Sequence, residues 1–173
     1  MGCMSSSAAS RPVIPSSIPG DFTVIAQQVK QTWPDVKKIN KLGEKTFAHL
    51  LYKYPEFKPL YHIPEAYKTE ADLLNAKEIQ EPSERFISFY GEIIQHSNTK
   101  FNEVVREKAV ELYARNIRTN QIKVYGESLV HVIQYELNID LTVEEKQAWQ
   151  LFSSEVSRCL AVEMSKFPRR SIV

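Results

Sequence analysis

The chain has 173 residues, enough for one domain with a buried core, and its hydrophobic (43%) and charged (25%) fractions are typical of a globular protein. Lysine and arginine total 22 and aspartate and glutamate total 21, a near balance that argues against a nucleic-acid-binding protein with a basic face. Two cysteines are too few for a disulfide framework. No apolar run suits a membrane span and no secretory signal is present, so we expect the chain in the reducing cytosol.

Residues 1–20, rich in serine, alanine and proline, are predicted to form a disordered arm. The chain opens with the N-myristoylation pattern M-G-x-x-x-[ST], in which Gly2 accepts the acyl chain and Ser6 is the hydroxyl residue. One myristoyl chain binds membranes only marginally, and a palmitoyl group on Cys3 would supply the second anchor. Gly2 and Cys3 are therefore predicted lipidation sites that hold the chain on the inner leaflet, at the cytoplasmic face of the plasma membrane or another cell membrane. The alternative is an accidental Met-Gly start on a disordered tail.

The first two helices are predicted from apolar residues that recur every three or four positions. The first helix should begin near Asp21 or Thr23 and run to Trp33, with Pro34 as the boundary at which the next helix starts. The second helix should end near Tyr54. Apolar and small residues mark one of its faces: Ile39, Gly43, Phe47, Leu50 and Leu51.

Residues 61–74 are less regular and predict a connector with a short helix. Pro82 interrupts the next apolar stripe, so that helix should kink or restart there. The stripe consists of Ile79, Phe86, Tyr90, Ile93 and Ile94. Asn98 and Thr99 offer a cap for a following helix. The apolar face of that helix consists of Phe101, Val105, Ala109 and Leu112.

Two further helices are predicted in the last third of the chain. Thr119 and Asn120 begin the first, whose apolar face consists of Ile122, Tyr125, Leu129 and Ile133. Thr142 and Glu145 form a T-x-x-E capping box, in which each side chain bonds the other residue's free N–H. The helix after the box carries Trp149, Phe152, Val156 and Leu160 on one face, and Cys159 on it is predicted to be a buried free thiol. No segment alternates with period two, so we predict an all-α fold.

The order and spacing of these segments resemble the globin family over about residues 21–166. The matching pieces follow the globin helices A, B with C and the CD corner, E, G and H, in that order: residues 21–33, 43–61, 83–86, 124–129 and 142–149. In that family a small residue, here Gly43, permits a close crossing of the B and E helices. The resemblance implies a globin fold of about seven or eight helices in a three-over-three sandwich, after which residues 167–173 form a C-terminal tail.

Globins hold haem between the E and F helices, where an F-helix histidine binds the iron. Carried over to this sequence, the resemblance implies haem as cofactor and the following pocket residues: Phe47, Tyr61, Pro82, Arg85, Phe86, Tyr113, Asn116 and Ile122. The distal-histidine position falls on or beside Pro82, and the proximal position falls on Asn116. A different gap moves the proximal position to Leu112 or Tyr113, and none of these residues is a histidine. The metal ligand therefore stays unassigned, and the residues themselves argue against haem.

The four histidines lie elsewhere in the predicted helices. His49 is predicted on the outward side of the second helix, and His62 lies in the CD region. His96 should end a helix, where it would interact with the helix dipole. His131 is predicted to be a surface or interface residue. None of the four is predicted to bind iron.

Two functions remain open at this point. The first is a membrane-tethered globin that binds haem and oxygen or senses redox state in signalling, rather than transporting oxygen in bulk. The second is a haem-free globin-fold sensory or protein-interaction module, whose pocket is filled by Phe47, Tyr61, Phe86 and their neighbours. An enzyme is not expected, because no Ser-His-acid constellation, no metal-spaced Cys/His cluster and no phosphate loop is present.

The end of the chain suggests weaker interactions. Residues 171–173 have the S-x-V form of a PDZ-type ligand. Residues 167–170 form a small basic tail that would interact weakly with anionic lipid. A homodimer is left open, and nucleic acid is not an expected partner.

Overall fold

The computed structural model describes residues 20–136 and 139–168, without the side chains of Gly20 and Asp21. Within this part of the chain the structure is entirely helical, which confirms the all-α prediction. The α-helices are α1 Gly20–Val36, α2 Leu42–Lys53, α3 Glu70–Leu74, α4 Gln80–His96, α5 Phe101–Ala114, α6 Thr119–Tyr135 and α7 Val143–Met164. Two 3-10 helices, Pro55–Tyr61 and Lys77–Ile79, connect α2, α3 and α4. None of the described helices has the combined length and hydropathy of a bilayer-spanning segment.

Helices α1 and α7 pack against each other and bury part of the core. Every third or fourth residue of α1 is buried on one face, from Phe22 to Val36, as helical periodicity requires. The ring of Phe22 stacks on Phe152 of α7 with the centroids 5.7 Å apart. Trp149 of α7 is fully buried, and its indole N–H donates to the Thr32 hydroxyl at 2.9 Å. This bond satisfies the indole N–H, which would otherwise be buried without a partner, while the Thr32 hydroxyl itself donates to backbone carbonyls of its own helix.

Helix α2 lies at the centre and contacts α3, α4 and α6. It crosses α4 at Gly43, where a Cβ atom would lie 2.9 Å from both the Cβ and the backbone oxygen of Ser83. Only a residue without a side chain fits this distance, because real Cβ contacts are longer. The predicted close crossing at Gly43 is therefore present in the structure.

Helix α6 crosses α7 in a similar way, at Gly126. A Cβ atom there would collide with the hydroxyl of Ser153 and would lie 3.0 Å from the hydroxyl of Tyr90. The Tyr90 and Ser153 hydroxyls are themselves hydrogen-bonded at 2.9 Å, which links α4 to α7. The three helices therefore meet at one point in the interior.

Some predicted helix boundaries are confirmed and others are wrong. Helix α4 restarts after the 3-10 helix with Pro82 in its first turn, where proline is tolerated. Thr142 and Glu145 form the predicted capping box, with N–H···O distances of 2.8 and 3.1 Å. Pro34 does not start a helix: it lies in the last turn of α1, and the Lys37 N–H still bonds the Trp33 carbonyl at 2.9 Å. In that last turn proline removes a single helical bond.

Two expected helix positions also differ. Ile39 precedes α2 rather than lying in it. Its side chain is buried, so Ile39 is apolar because it packs in the core and not because it belongs to the helix. Asn98 does not cap α5; its amide donates to the Gln27 side-chain oxygen of α1 at 2.6 Å. At the C-terminus, Phe167 packs against the core, so packing extends beyond residue 166.

Several predicted features lie outside the described residues. They are the lipidation sites Gly2 and Cys3, the rest of the arm up to residue 19, and the C-terminal motif at residues 171–173. The division of the chain into arm, domain and tail stays a prediction.

Candidate functional site

A cavity of about 100 Å³ lies between α2, the first 3-10 helix, α4, α5, α6 and α7. Most of the residues predicted to form a pocket line it: Phe47, Tyr61, Pro82, Arg85, Phe86 and Ile122. Further walls come from Phe89, Leu112, Tyr125 and Leu160. Tyr125 is an addition to the predicted set, although it lies on the same predicted helical face as Ile122. The apolar face of that predicted helix was therefore the signal that could have identified Tyr125 as a pocket residue.

Aromatic rings occupy much of the space around this cavity. The ring of Phe47 meets Tyr61 edge-on at 5.3 Å, lies nearly parallel to Tyr125 at 5.8 Å, and meets Phe86 edge-on at 5.9 Å between centroids. Phe86 also contacts Tyr90 at 5.0 Å. Each such pair contributes about 0.5–1.5 kcal/mol beyond the burial of its surface. The cluster is therefore a packed aromatic core with a small space beside it.

The hydroxyls of Tyr61 and Tyr125 are hydrogen-bonded to each other at the cavity. Burial raises the pKa of Tyr61 well above its usual range; the neighbouring Tyr125 raises it further, and Arg85 opposes the shift. Burial likewise raises the pKa of Tyr125. Both side chains therefore stay protonated phenols at neutral pH.

The side of the cavity formed by α5 corrects the predicted proximal positions. Leu112 lines the cavity, whereas Asn116 and Tyr113 do not. Asn116 ends α5 with φ 60°, a left-handed conformation that asparagine tolerates, and the Ile117 N–H bonds the Leu112 carbonyl at 3.0 Å across this turn. Asn116 is thus used to terminate the helix.

Tyr113 points away from the cavity, toward the end of α7. Its hydroxyl donates to the Pro168 carbonyl at 2.7 Å, and its ring packs on Phe167 with the centroids 4.9 Å apart. These contacts hold the segment after α7 against α5. They explain why Tyr113 is half-buried without facing the predicted pocket.

The cations at the edge of the cavity are paired with acids. Arg85 bonds the Glu81 carboxylate one helical turn earlier, and Arg115 lies 3.1 Å from Glu111. Both arginines are partly exposed, so their contribution to stability is small. Their pairing leaves no excess positive charge from these two residues at the edge of the cavity.

The lining of this cavity lacks the imidazole by which a globin holds haem iron, since none of the four histidines lines it. Apart from haem, the histidine, cysteine and acidic side chains of the described residues form no group of three that could hold a free metal ion. The volume of about 100 Å³ is also below the ~300 Å³ at which ordinary ligand pockets begin.

His49 and His131 form a separate feature between α2 and α6. Their rings stack nearly parallel with the centroids 3.7 Å apart, and His131 also contacts Tyr135 at 4.6 Å. Burial is the largest cause that lowers the pKa of His49 to about 4, and His131 and Lys53 add to it. Burial also lowers the pKa of His131. The outward position predicted for His49 is wrong, because its ring packs on α6.

The other predicted histidines lie at exposed or terminal positions. His62 is exposed and ends the first 3-10 helix with φ 54°, and His96 is the last residue of α4, as predicted. Cys159 is half-buried rather than fully buried. Its thiol donates to Glu155 at 3.4 Å, and burial raises its pKa to about 11, so the thiol stays protonated.

A larger concavity, about 880 Å³, runs along α6 and α7 and is open to solvent. Hydroxyl groups of Ser153, Ser154 and Ser157 contribute to its polar lining. Among its cations, Lys123 lies 3.7 Å from Glu127 and Arg158 pairs with Glu155 at 2.6 Å, each on its own helix. We take the aromatic cavity, whose lining is mostly apolar, and not this groove with its polar lining, as the candidate site.

Comparison with known proteins adds no family assignment. No family model matches the chain. A search of curated proteins likewise gives no match. The resemblance to globins therefore stays a prediction from the order and spacing of residues.

Proposed function

We propose that the chain is a membrane-tethered, globin-like helical module that senses a ligand or binds a protein, and whose central cavity is packed with aromatic side chains instead of haem. The observation that carries this proposal is the aromatic cluster centred on Phe47, together with Leu112 on the wall where a globin would present histidine. The proposal assigns no catalytic activity.

The globin part of the proposal is supported by the sequence order and by one packing detail. The segments that resemble the globin B and E helices correspond to α2 and α4. They cross at Gly43 with no room for a Cβ atom, as the resemblance implies. The cavity lies beside this crossing, and α4 and α5 both contribute to its walls.

The haem-free part is supported by packing energy. Haem could enter only if Phe47, Phe86 and Tyr125 moved apart, which would sacrifice several aromatic contacts. A globin recovers such a cost through an iron–imidazole bond. Here Leu112 offers iron no donor atom, so the cost would not be offset.

Haemin titration of the full chain, followed by absorption in the Soret region, tests the proposal. We expect no saturable, sharp Soret band in the wild type. Leu112→His should produce one, because it places an imidazole against the cavity. Val110→His is the matched control, since Val110 lies on the exposed side of the same helix.

A stoichiometric Soret band in the wild type would overturn the haem-free proposal and favour the haem-binding, redox-sensing alternative. Alanine substitutions of the four histidines would then decide whether an imidazole holds the iron. A band in the wild type that survives all four substitutions would require a ligand of another type.

The membrane part of the proposal rests on Gly2 and Cys3, which supply two acyl positions, so stable anchoring does not need a polybasic segment. The proposed location is the cytoplasmic face of the plasma membrane or another cell membrane. The C-terminal residues 171–173 add a proposed PDZ-type partner.

A further inference from the structure

The two tyrosine hydroxyls at the cavity carry two O–H protons, and the hydrogen bond between them uses only one. Tyr61 and Tyr125 each carry an O–H group, and one of the two donates to the other. The accepting hydroxyl keeps its own proton, for which the described part of the chain provides no further hydrogen-bond partner. Both phenols are largely buried and protonated, so this donor is retained at neutral pH.

The surroundings of that donor are apolar. Side chains of Phe47, Phe86, Leu112 and Ile122 form the walls around it. A dry cavity of comparable size, about 150 Å³ and lined by leucine, isoleucine and phenylalanine, binds a molecule as large as benzene. A cavity of about 100 Å³ with apolar walls and one free O–H donor therefore suits a compact molecule that is mostly apolar.

Charge at the edge of the cavity does not select an ion. Arg85 and Arg115 are each paired with a glutamate, so an anionic ligand would have to compete with an existing carboxylate. A cationic ligand would meet two guanidinium groups. An uncharged molecule avoids both costs.

We propose that the cavity binds a small, uncharged, compact molecule that carries one hydrogen-bond acceptor, and that the Tyr61–Tyr125 hydroxyl pair donates to this acceptor. The inference rests on the proposed function, since haem would displace the same side chains. It identifies the class of ligand that such a module would sense.

Pyridine and benzene are matched probes for this inference, because they have the same shape and only pyridine has an acceptor. Binding to the full chain is followed at about pH 8, where pyridine is neutral, through the methyl NMR signal of Ile122. The tyrosine pair is tested with the double variant Tyr61→Phe/Tyr125→Phe. We expect the preference for pyridine over benzene to fall about three- to tenfold in the double variant, the size of one net hydrogen bond.

The single variants make the test specific. Tyr61→Phe and Tyr125→Phe each leave one hydroxyl with its proton free, so each should retain the preference for pyridine. Leu112→Phe should abolish binding of both probes by filling the cavity. Val110→Phe adds the same ring on the exposed side of α5 and should leave binding unchanged.

An unchanged preference in the double variant would overturn the proposed role of the hydroxyl pair. If neither pyridine nor benzene shifts the Ile122 signal at concentrations up to its solubility, the ligand class is overturned. If haemin also gives no Soret band, only this inference fails and the haem-free function stands. A Soret band in the wild type would overturn the proposed function itself.

Discussion

The stacked imidazoles of His49 and His131 make the contact between α2 and α6 sensitive to protons. The folded-state pKa of His49 is lowered from 6.5 to about 4, so the unfolded chain binds more protons than the folded chain between these values. The stability contributed by the neutral ring is fully present above about pH 6.5 and is lost as the pH falls toward 4. Glu70 lies 3.7 Å from His49 and partly compensates a charge there, whereas Lys53 opposes it.

We predict that lowering the pH from about 7.5 to about 5 reduces the free energy of unfolding by about 1–2 kcal/mol more in the wild type than in His49→Gln. This range is discounted from the full shift because the site is partly solvated. Urea unfolding at the two pH values measures the difference. His62→Gln is the control, since His62 is exposed and its substitution should leave the pH dependence as in the wild type. Equal pH dependence in His49→Gln and wild type would refute the prediction.

The residues of the cavity show how far single positions can be predicted. Phe47, Phe86 and Ile122 could be predicted as pocket residues from the sequence, because helical spacing places them on buried faces. The positions of Asn116 and Tyr113 could not be predicted in this way. The role of Asn116 depends on where α5 ends, and the role of Tyr113 depends on where residues 167–168 fold back. The Tyr113 contact joins parts of the chain 55 residues apart, and local patterns contain no information about it.

At the scale of elements, glycine has opposite consequences at two helix contacts. A Cβ atom at Gly43 would meet backbone of Ser83 at 2.9 Å, whereas at Gly91 the nearest atom is in the Trp33 ring at 3.5 Å, an ordinary contact. Alanine favours a helix over glycine by about 1 kcal/mol. At Gly43 this gain is smaller than the cost of separating α2 from α4.

We therefore predict that Gly43→Ala destabilises the protein by about 1–3 kcal/mol, while Gly91→Ala is neutral or stabilises it by up to about 1 kcal/mol. Chemical denaturation monitored by circular dichroism measures both. The opposite signs are the test, since the two substitutions are chemically identical. Stabilisation by both would show that the crossing at Gly43 relaxes without cost.

A helix could be predicted from the sequence where both its start signal and its apolar face lie within the helix segment. Helix α7 followed from a capping box and a continuous apolar face, and both are present. The end of α1 did not follow, because Pro34 fits either the start of one helix or the last turn of another. The bond from the Lys37 N–H to the Trp33 carbonyl distinguishes these two cases, because it continues α1 past Pro34.

At the scale of the whole molecule, the proposed tether and the folded part are separate in sequence. Gly2 and Cys3 precede α1 by more than 15 residues, since α1 begins at Gly20. In the proposal, membrane attachment depends on acylation of these two residues.

We predict that Gly2→Ala moves the full chain from the membrane fraction to the soluble fraction, and that Cys3→Ser has a smaller effect in the same direction. Fractionation of cells that express each variant measures this, with incorporation of a myristate analogue as the direct readout. Ser17→Ala, in the arm but outside the acylation pattern, is the control. Retention of Gly2→Ala on membranes would contradict acylation as the anchor.

The arrangement of tryptophans has a practical consequence for these measurements. The chain contains two tryptophans, and the rings of Trp33 and Trp149 lie 5.9 Å apart where α1 meets α7. Intrinsic fluorescence therefore reports one interface, whereas circular dichroism averages over every helix. If the two signals change at the same denaturant concentration, α1 and α7 separate only when the whole fold melts. If fluorescence changes first, α1, the helix next to the proposed tether, separates from α7 while other helices remain folded.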